Sequence, residues 1–481
     1  MSIQRKLTLN SFDYSNLLIA GALCLLALII RLIGISGTTI QHDEPFTIFV
    51  SQFPISSIMD MAKEENNPIG HFIFMKYWTA LFGLDVFSVR LPSTIFGSIS
   101  VALMYFIGKR FLNQIGGIAA SLTCLFSNVH VFHAHEARVY ALSFMLTAIS
   151  LLGILYIHKR KWYIIPVTSL AIGLNLYMHF TSIIVVFTIC FTALVMYIKD
   201  WPHLKKSIIA ITVGCLLFVP YLGILLLRWD NSQSGTWVSK PNGLQTIYNI
   251  LREFLNSPLA TISCLIIILA AILLTINQIR MRKPLIIFSA WWLVGALGIF
   301  VVSYYVPMYL ARYILFSSIG LYFLIGLGTQ RVFELIPPTW LKPLSMIPLL
   351  ILIGSFKFKP GSDRSNKEEL TLLENSRTEK TGIVLIPSYL GIHYMVHLKP
   401  EMMQHCTHQK DFIAPLREIG VYCVSSLDEY KSSTSSRDFE QVLYFDGWDE
   451  LVDPELKLKR YLEEKYDKQE VFSKSTTRFY R

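Results

Sequence analysis

The sequence predicts a mainly α fold: a polytopic transmembrane helical bundle followed by a small extracytoplasmic α/β domain. Three observations predict it. Of the 481 residues, 53% are hydrophobic and 16% charged, against about 25% charged in an ordinary soluble domain, so the chain carries more apolar surface than one globular core needs. Long apolar runs fill residues 1–356, whereas residues 357–481 read as ordinary polar sequence with both signs of charge. Lys and Arg fall in short clusters between the apolar runs, as in the cytoplasmic loops of membrane proteins. The expected domains are therefore 1–356 in lipid and 357–481 in water.

The first apolar run, Leu17 to Ile35, has the length of a membrane helix and lacks a small-residue cleavage site, so it reads as a retained first helix. Arg5 and Lys6 before it place the N-terminus in the cytoplasm, and so do the later clusters Lys109-Arg110, His158 to Lys161, Lys205-Lys206, Arg280 to Lys283 and Arg331 for their loops. Segments 114–133 and 137–157 then form a hairpin whose outer end is His133 to Tyr140, and Tyr177 to Phe180 is another outer end. Segment 207–227 goes out, 228–257 is an external loop carrying Trp229, Trp237, Lys240 and Arg252, 258–277 returns and 285–304 goes out. Val306 to Tyr313 lies outside, and a last pair near 313–330 and 338–355 leaves the tail outside.

Two apolar runs, 68–84 and 91–108, stand where the charges ask for one crossing. Either the first is re-entrant or the Lys109 cluster breaks the positive-inside rule. The expected total is about 11 to 12 membrane helices. No internal repeat is visible.

The tail alternates short apolar runs with polar stretches. Strands are expected at Gly382 to Pro387, Leu390 to Leu398, Val421 to Ser425, Gln441 to Phe445 and Glu470 to Tyr480, with a charged helix from Pro454 to Tyr466. This is a small α/β domain, parallel at its centre. It has no Gly-rich phosphate loop, which argues against a nucleotide. His405 to His408 has no second ligand pair and reads as a loop without metal.

Composition also excludes functions. The net charge of +10 is dispersed among loops instead of forming the basic face of a nucleic-acid binder. Five of the seven cysteines lie in apolar segments as small hydrophobes, and Cys406 and Cys423 lie in the tail, without metal-ligand spacing.

Charged groups are costly in lipid, about 2.5 to 3.5 kcal/mol each at a helix centre. Ionisable residues gathered at one face therefore invite a functional reading, and the outward face gathers them. Gln41-His42-Asp43-Glu44-Pro45 follows the first helix, ahead of an amphipathic surface stretch from Phe46 to Lys63. Adjacent carboxylates repel, which raises one pKa of such a pair and suits it to take a hydroxyl proton, while the second orients the acceptor or holds a divalent metal ion. The sequence names no cofactor with certainty. The plain alternative is a solvated loop pair.

Four further motifs follow in order: Asn66-Asn67-Pro68-Ile69-Gly70-His71, Arg90-Leu91-Pro92-Ser93, Glu136-Ala137-Arg138-Val139-Tyr140-Ala141-Leu142, and Arg312-Tyr313. With the Asp-Glu pair, this order on this hydropathy profile resembles the bacterial PMT-2-like branch of the GT-C glycosyltransferases, which is similar to protein O-mannosyltransferases and to the aminoarabinose transferase of lipid A. The resemblance runs from residue 16 to about residue 355.

It implies a GT-C bundle in the bacterial cytoplasmic membrane, with the active site and C-terminal domain facing the periplasm. The implied reaction moves a sugar, with inversion, from a polyprenyl-phosphate donor to a hydroxyl or phosphate of a cell-envelope acceptor: a lipid-linked glycan, lipid A or a protein. Asp43 is then the catalytic base and Glu44 its partner. Arg312, Tyr313, Arg138 and His179 are placed at the donor phosphate, and Asn67, His71, Arg90, Glu136 and Tyr140 in the substrate pocket. Two positions depart from the family pattern: Ile69 replaces its second proline, and His135 its glutamine.

An arginine at the carrier has a physical case of its own, because the leaving phosphate gains negative charge as the glycosidic bond breaks and a guanidinium offers a fork of donors. The competing readings are an interfacial anchor for Arg312 and Arg138, and a backbone-bonded interfacial histidine for His71 and His179. Among other classes, a transporter or flippase of a lipid-linked glycan predicts ionisable groups near the midplane in two related halves, and a scaffold predicts dispensable outward charges.

Overall fold

The computed structural model describes residues 14–63, 68–231, 238–358, 366–435, 437–447, 452–473 and 475–481. The expectations for Arg5, Lys6, Asn67 and Trp237 lie outside the described residues, as does the side chain of Trp229.

In hydrocarbon a backbone must satisfy its own hydrogen bonds, so the apolar runs become helices. The chain begins with α1 (Tyr14–Leu32), followed by three short helices, α2 (Glu44–Ser51), α3 (Ile55–Met61) and α4 (Gly70–Phe82), and then by the long α5 (Val86–Phe111). The expected surface stretch from Phe46 to Lys63 is thus two helices. Pro54, extended at the N-cap of α3, fixes its own φ and has no N–H to continue α2.

The Asn113 side chain accepts from Gly116 N at 3.0 Å and starts α6 (Gln114–Leu125), which meets α7 (Asn128–Ala134) at a bend of 58°. Segment 114–133 is therefore a broken helix and not one straight crossing. Next come α8 (Tyr140–Leu155), α9 (Ile164–Met178), α10 (Ser182–Tyr197) and α11 (Trp201–Asn231). The external loop contains a helix, α12 (Gly243–Phe254). Ser257 caps α13 (Pro258–Thr275) by accepting from Ala260 N at 3.2 Å, and Pro258 opens it where a missing N–H costs nothing. Then α14 (Ile279–Leu293) runs through a π turn at Val294–Gly298 into α15 (Ile299–Val302), followed by α16 (Ser318–Leu335) and α17 (Ile347–Gly354).

Among the described residues five helices are long and apolar enough to cross a membrane, six if α6 and α7 form one broken span, and α8, α9, α10 and Thr339–Gly354 are shorter apolar helices. Only 33% of the Pro258–Thr275 window is buried by protein. Its outward side presents Leu269 and Leu273, more than half exposed, and an apolar face of that size belongs against lipid. The chain is a multi-pass membrane protein. Of the two competing runs, 91–108 lies within the spanning α5, whereas α4 has 13 residues, about 20 Å at 1.5 Å per residue and short of a ~30 Å hydrocarbon core.

The chain forms two compact units. One, the bundle unit, comprises Met1–Ile35, Asn66–Gly70 and Arg90–Pro360; the other comprises Ser36–Glu65, His71–Val89 and Gly361–Arg481. Helices of the bundle unit approach at glycines: a Cβ on Gly108 would lie 2.7 Å from Gly117 Cα, one on Gly326 would strike Gly116 O, and one on Gly328 would strike Ile267 O. Aromatic contacts Phe111–Phe288 and Phe288–Phe323, at 5.3 and 4.7 Å, fill the space beside them. Some buried polar groups pair across helices: Trp291 Nε1 donates to Thr192 Oγ1 at 3.0 Å, and Tyr322 OH to Ser127 Oγ at 2.9 Å.

The second unit holds the sheet, reached through α18 (Asn366–Asn375). Its elements are β1 (Thr381–Ile386), α19 (Leu390–Leu398), α20 (Ile413–Glu418), β2 (Val421–Cys423), α21 (Leu427–Thr434), β3 (Gln441–Asp446), α22 (Lys457–Lys465), β4 (Lys468–Val471) and β5 (Thr476–Tyr480). The strand order is β2-β1-β3-β5-β4, parallel across β2, β1 and β3 and antiparallel thereafter. The α/β architecture and the parallel centre match the expectation, with two corrections. Leu390 to Leu398 is a helix, not a strand: a short apolar run buried along its length has no periodicity to separate the two, and Leu390 to Met395 are all buried. Glu470 to Tyr480 is not one strand, because the chain turns between Val471 and Thr476. Val384, Ile386, Tyr422, Val442, Tyr444 and Phe479 form the core with Leu458 and Leu462 of α22.

Gly328→Ala should lower the thermal midpoint of the detergent-solubilised protein, by about 2 kcal/mol of overpacking, because the rigid Ile267 carbonyl stands in the way. Gly21→Ala, with nothing within 4 Å of the added carbon, should leave it unchanged.

Candidate active site

In the second unit the two predicted carboxylates are not equivalent. Glu44 N donates to Gln41 O at 3.1 Å, and Glu44 Oε2 accepts from Gln41 N at 3.1 Å. The carboxylate of Glu44, 1% exposed, is thus committed to closing its own turn, and Pro45 in the first turn of α2 fixes the helix start. Asp43, half-buried at the N-cap position, does not cap the helix with its side chain. The turn requires His42 at φ +54°, a left-handed conformation that a non-glycine residue holds only under constraint.

Helix α19 packs on α2 within this unit, and Phe49 and Phe412 meet edge to face at 6.1 Å. The His393 ring lies 3.2 Å from Asn366 Nδ2 through its Nδ1, and the buried Nε2 of His397 has no hydrogen-bond partner among the described residues. Burial, helped by His397, pulls the pKa of His393 down to about 3 against the opposing pull of the Asp43 charge. Burial and then Lys367 bring His397 to about 4. Burial and next the charge of Asp43 push the Tyr389 phenol well above its usual range. His71 begins α4, buried and stacked on Phe74 at 6.3 Å, while Phe72 meets Phe46 of α2 at 5.8 Å.

The bundle unit holds the other predicted groups. Arg90, buried, donates from Nη1 to Ile35 O at 2.9 Å and ties down the chain leaving α1. Beyond Pro92 the same helix presents Thr94 Oγ1 to Ala134 O at 2.8 Å and Ser93 Oγ to Arg138 O at 3.3 Å. The Arg-Leu-Pro-Ser motif thereby holds the turn between α7 and α8. On that turn Glu136 Oε2 meets His133 Nδ1 at 2.8 Å, and the His135 ring meets Arg31 O at 2.6 Å. Burial brings the pKa of His135 down to about 4.

From there a chain of rings runs across three elements. His133 and Tyr140 are 4.8 Å apart, Tyr140 and His179 5.7 Å, and His179 and Tyr313 5.3 Å, with the Arg312 guanidinium 5.4 Å over Tyr313. Burial, then the charges of Arg138 and Arg312, hold the pKa of His179 near 3, so the ring is neutral. Thr181 N donates to His179 Nδ1 at 3.2 Å, which puts the ring hydrogen on Nε2. That nitrogen is buried and has no hydrogen-bond partner among the described residues. The charges of Arg138 and Arg312 reach this N–H, and such a field favours an anion.

Six predicted residues, Glu136, Arg138, Tyr140, His179, Arg312 and Tyr313, thus form one network in the bundle unit. Arg90 stands apart as a chain tether. Asp43, Glu44 and His71 belong to the second unit, and Asn67 lies outside the described residues. Arg252, predicted in the external loop, lines a cavity of about 250 Å³ with Asn128, Phe132, Glu253 and Asn256. Among the described residues no three His, Cys, Asp or Glu side chains gather as a metal site.

Sequence reasoning missed five residues here. His133 was signalled by its spacing of three from Glu136, and Tyr389, His393 and His397 by their spacing of four, once that stretch is a helix. Arg31 was signalled by a charge inside an apolar run. Its side chain is fully buried, Nε, Nη1 and Nη2 have no hydrogen-bond partner among the described residues, and Gly97 leaves it room: a Cβ there would lie 3.4 Å from Nε.

Residues 66–224 match the model of the dolichyl-phosphate-mannose-protein mannosyltransferase family. The fold is similar to that of ArnT from Cupriavidus metallidurans, in the apo state at 11% identity with a TM-score of 0.61 over 98% of both chains. The same protein bound to undecaprenyl phosphate matches at 12% identity and a TM-score of 0.60, over 97% of this chain and 98% of that one. The oligosaccharyltransferase of Archaeoglobus fulgidus in its apo form matches at 9% identity and a TM-score of 0.59, over 90% of this chain and 70% of that one. No curated protein matches the sequence.

Both tail histidines have folded pKa values below the ordinary 6.5, so the unfolded chain binds more protons between the two values. Their contribution is complete above about pH 6.5 and is lost as pH falls through the folded values. The thermal midpoint should fall from pH 7 to pH 4, and the fall should flatten in a His393→Gln/His397→Gln variant. Arg31→Met should keep or raise the midpoint, because an unpaired buried guanidinium costs stability that an apolar side chain does not; a marked loss would show that Arg31 has a partner.

Proposed function

We propose that the chain is a GT-C membrane glycosyltransferase, a reading supported by the family match over residues 66–224 and by the similar folds, and that it moves a sugar from a polyprenyl-phosphate carrier to a hydroxyl or phosphate of a cell-envelope acceptor, at the periplasmic face of a bacterial cytoplasmic membrane. The observation that carries this reading is the anion receptor in the bundle unit, where His179 Nε2 lies under the charges of Arg138 and Arg312. A donor anchored in lipid presents one phosphate to such a receptor. The similar fold of ArnT with bound undecaprenyl phosphate supports the same ligand class.

The reaction is a single displacement at the anomeric carbon. Asp43 takes the proton of the acceptor oxygen, that oxygen bonds to C1, and the C1–O bond to phosphate breaks with its electron pair going to the phosphate. Inversion follows from one displacement. Arg138, Arg312 and His179 receive the charge that grows on the leaving group, where preorganised donors lower the barrier most. The Glu136 carboxylate, paired with His133, holds that turn of the receptor in place. Glu44 acts through the turn: its bond to Gln41 N sets where Asp43 points. Acceptor choice among lipid-linked glycan, lipid A and protein rests on groups outside this chemistry.

Asp43→Asn should reduce sugar transfer from a panel of undecaprenyl-phosphate-linked hexoses and pentoses by about 10²- to 10⁴-fold, the worth of a general base, while binding of plain undecaprenyl phosphate stays at the wild-type level. Arg312→Gln should weaken that binding by about tenfold or more, as loss of a charge-assisted contact does. Full turnover in the Asp43 variant removes it as the base, and unchanged binding in the Arg312 variant removes the receptor.

A further inference from the structure

We infer that the π turn between α14 and α15 is the mounting for the Arg312 side of the receptor: Ala296 and Gly295 hold the two ends of segment 309–317, through Tyr309 and Ser317, and so fix where the guanidinium points. Tyr309 and Ser317 are then positioning residues for the carrier phosphate. The inference rests on the anion receptor proposed above.

A π turn closes its hydrogen bonds over five residues instead of four, and such turns inside α-helices recur at functional sites. The one at Val294–Gly298 is gripped from both ends of the receptor segment. Tyr309 OH donates to Ala296 O at 2.7 Å, and its buried ring meets Phe300 edge to face at 5.3 Å. At the neighbouring position a Cβ on Gly295 would lie 2.3 Å from Ser317 Cβ and 2.8 Å from its Oγ. Only glycine leaves room for that approach. The two ends of the segment thus rest on consecutive residues of one turn.

Between these anchors the chain folds tightly. Tyr313 N and Ile314 N both donate to Leu310 O, at 3.0 and 3.3 Å, and Ser317 Oγ donates to Ile314 O at 2.7 Å. Arg312 sits inside that turn, its guanidinium 5.4 Å over the Tyr313 ring, which in turn meets His179 at 5.3 Å. A guanidinium at the end of a long flexible side chain is aimed only as well as the backbone beneath it. The approach to the segment gives little hold, since Tyr304, Tyr305 and Val306 are exposed. The anchors on the π turn supply it. All of these residues belong to the bundle unit.

An ordinary core contact would support the fold alone, whereas a mounting acts on the ligand through Arg312. The two differ in how loss of the contact combines with loss of the arginine.

The test uses the full chain in lipid nanodiscs and its affinity for plain undecaprenyl phosphate, measured in the wild-type background and in Arg312→Gln. Tyr309→Phe keeps the ring on Phe300 and removes the donor to Ala296 O; Gly295→Ala pushes Ser317 away. Each should weaken binding by about fivefold or more in the wild-type background, the worth of one buried hydrogen bond. In Arg312→Gln each should weaken it by less than about twofold, because the mounting then has nothing left to aim. Gly298→Ala, with nothing within 4 Å of the added carbon, should leave binding unchanged in both. Hydrogen exchange should quicken at 310–314 in Tyr309→Phe and keep its wild-type rate in α16 and β3, the sign of an intact fold. Wild-type affinity in Tyr309→Phe and Gly295→Ala, with Arg312→Gln weakened, would overturn the inference and leave the receptor standing. Equal weakening in the two backgrounds would also overturn it, because these residues would then support only the fold. If Arg312→Gln bound undecaprenyl phosphate as the wild type does, the receptor itself would fail, and exchange at 310–314 would still decide whether the π turn holds the segment.

Discussion

A lipid solvent offers helices neither hydrogen bonds nor much reward for burying apolar surface against one another, and the bundle is organised around that constraint. Its helices close on shape. Gly108 meets Gly117, Gly326 meets Gly116 and Gly328 meets Ile267 at distances that leave no room for a methyl group. Hydroxyls within the spans turn back onto their own helix, as Ser98 does to Thr94 O, Ser121 to Gly117 O and Thr123 to Ala119 O. With the spans kept nearly free of charge, the ionisable groups gather where helices end, and chemistry follows them there. Arg31, in the last turn of α1, and Arg90, near the start of α5, are both buried guanidinium groups.

The same economy explains why the network around His179 is assembled from distant segments. Ser93 and Thr94 carry the hydroxyls that reach the carbonyls of Arg138 and Ala134, so one motif acts as the brace for another more than forty residues later. His179 comes from the end of α9, and Tyr313 from the stretch before α16. The network exists only when the helices that carry these side chains have packed. The second unit is likewise discontinuous: segments 36–65 and 71–89, which contain α2, α3 and nearly all of α4, group with the tail and not with the spans on either side.

Much of this was legible from residue order. The apolar runs marked the helices, and the placement of Glu136, Arg138, Arg312 and His179 at helix ends followed from the basic clusters between runs. The parallel strands β1, β2 and β3 were visible as apolar runs bounded by polar residues. Three features were not. The bend between α6 and α7 is marked only by Ser127 and Asn128, in a run otherwise apolar enough to pass as one span. Leu390 to Leu398 reads equally well as strand or helix, because burial along the whole segment erases the period that would distinguish them. The difference between Asp43 and Glu44 depends on which carboxylate reaches Gln41 N, a matter of one turn's dihedral angles.

The sequence by itself determined the solvent of each region, the existence of the spanning helices and the identity of the charged groups at their ends, because composition and spacing alone govern partition into lipid. Only the tertiary structure decided which of those groups meet. Arg90 became a tether for Ile35 while Arg138 came within the field of His179, and α2 came to pack on α19 of the tail. Convergence of this kind depends on how rigid helices pack in three dimensions, and a one-dimensional order of residues does not contain those angles.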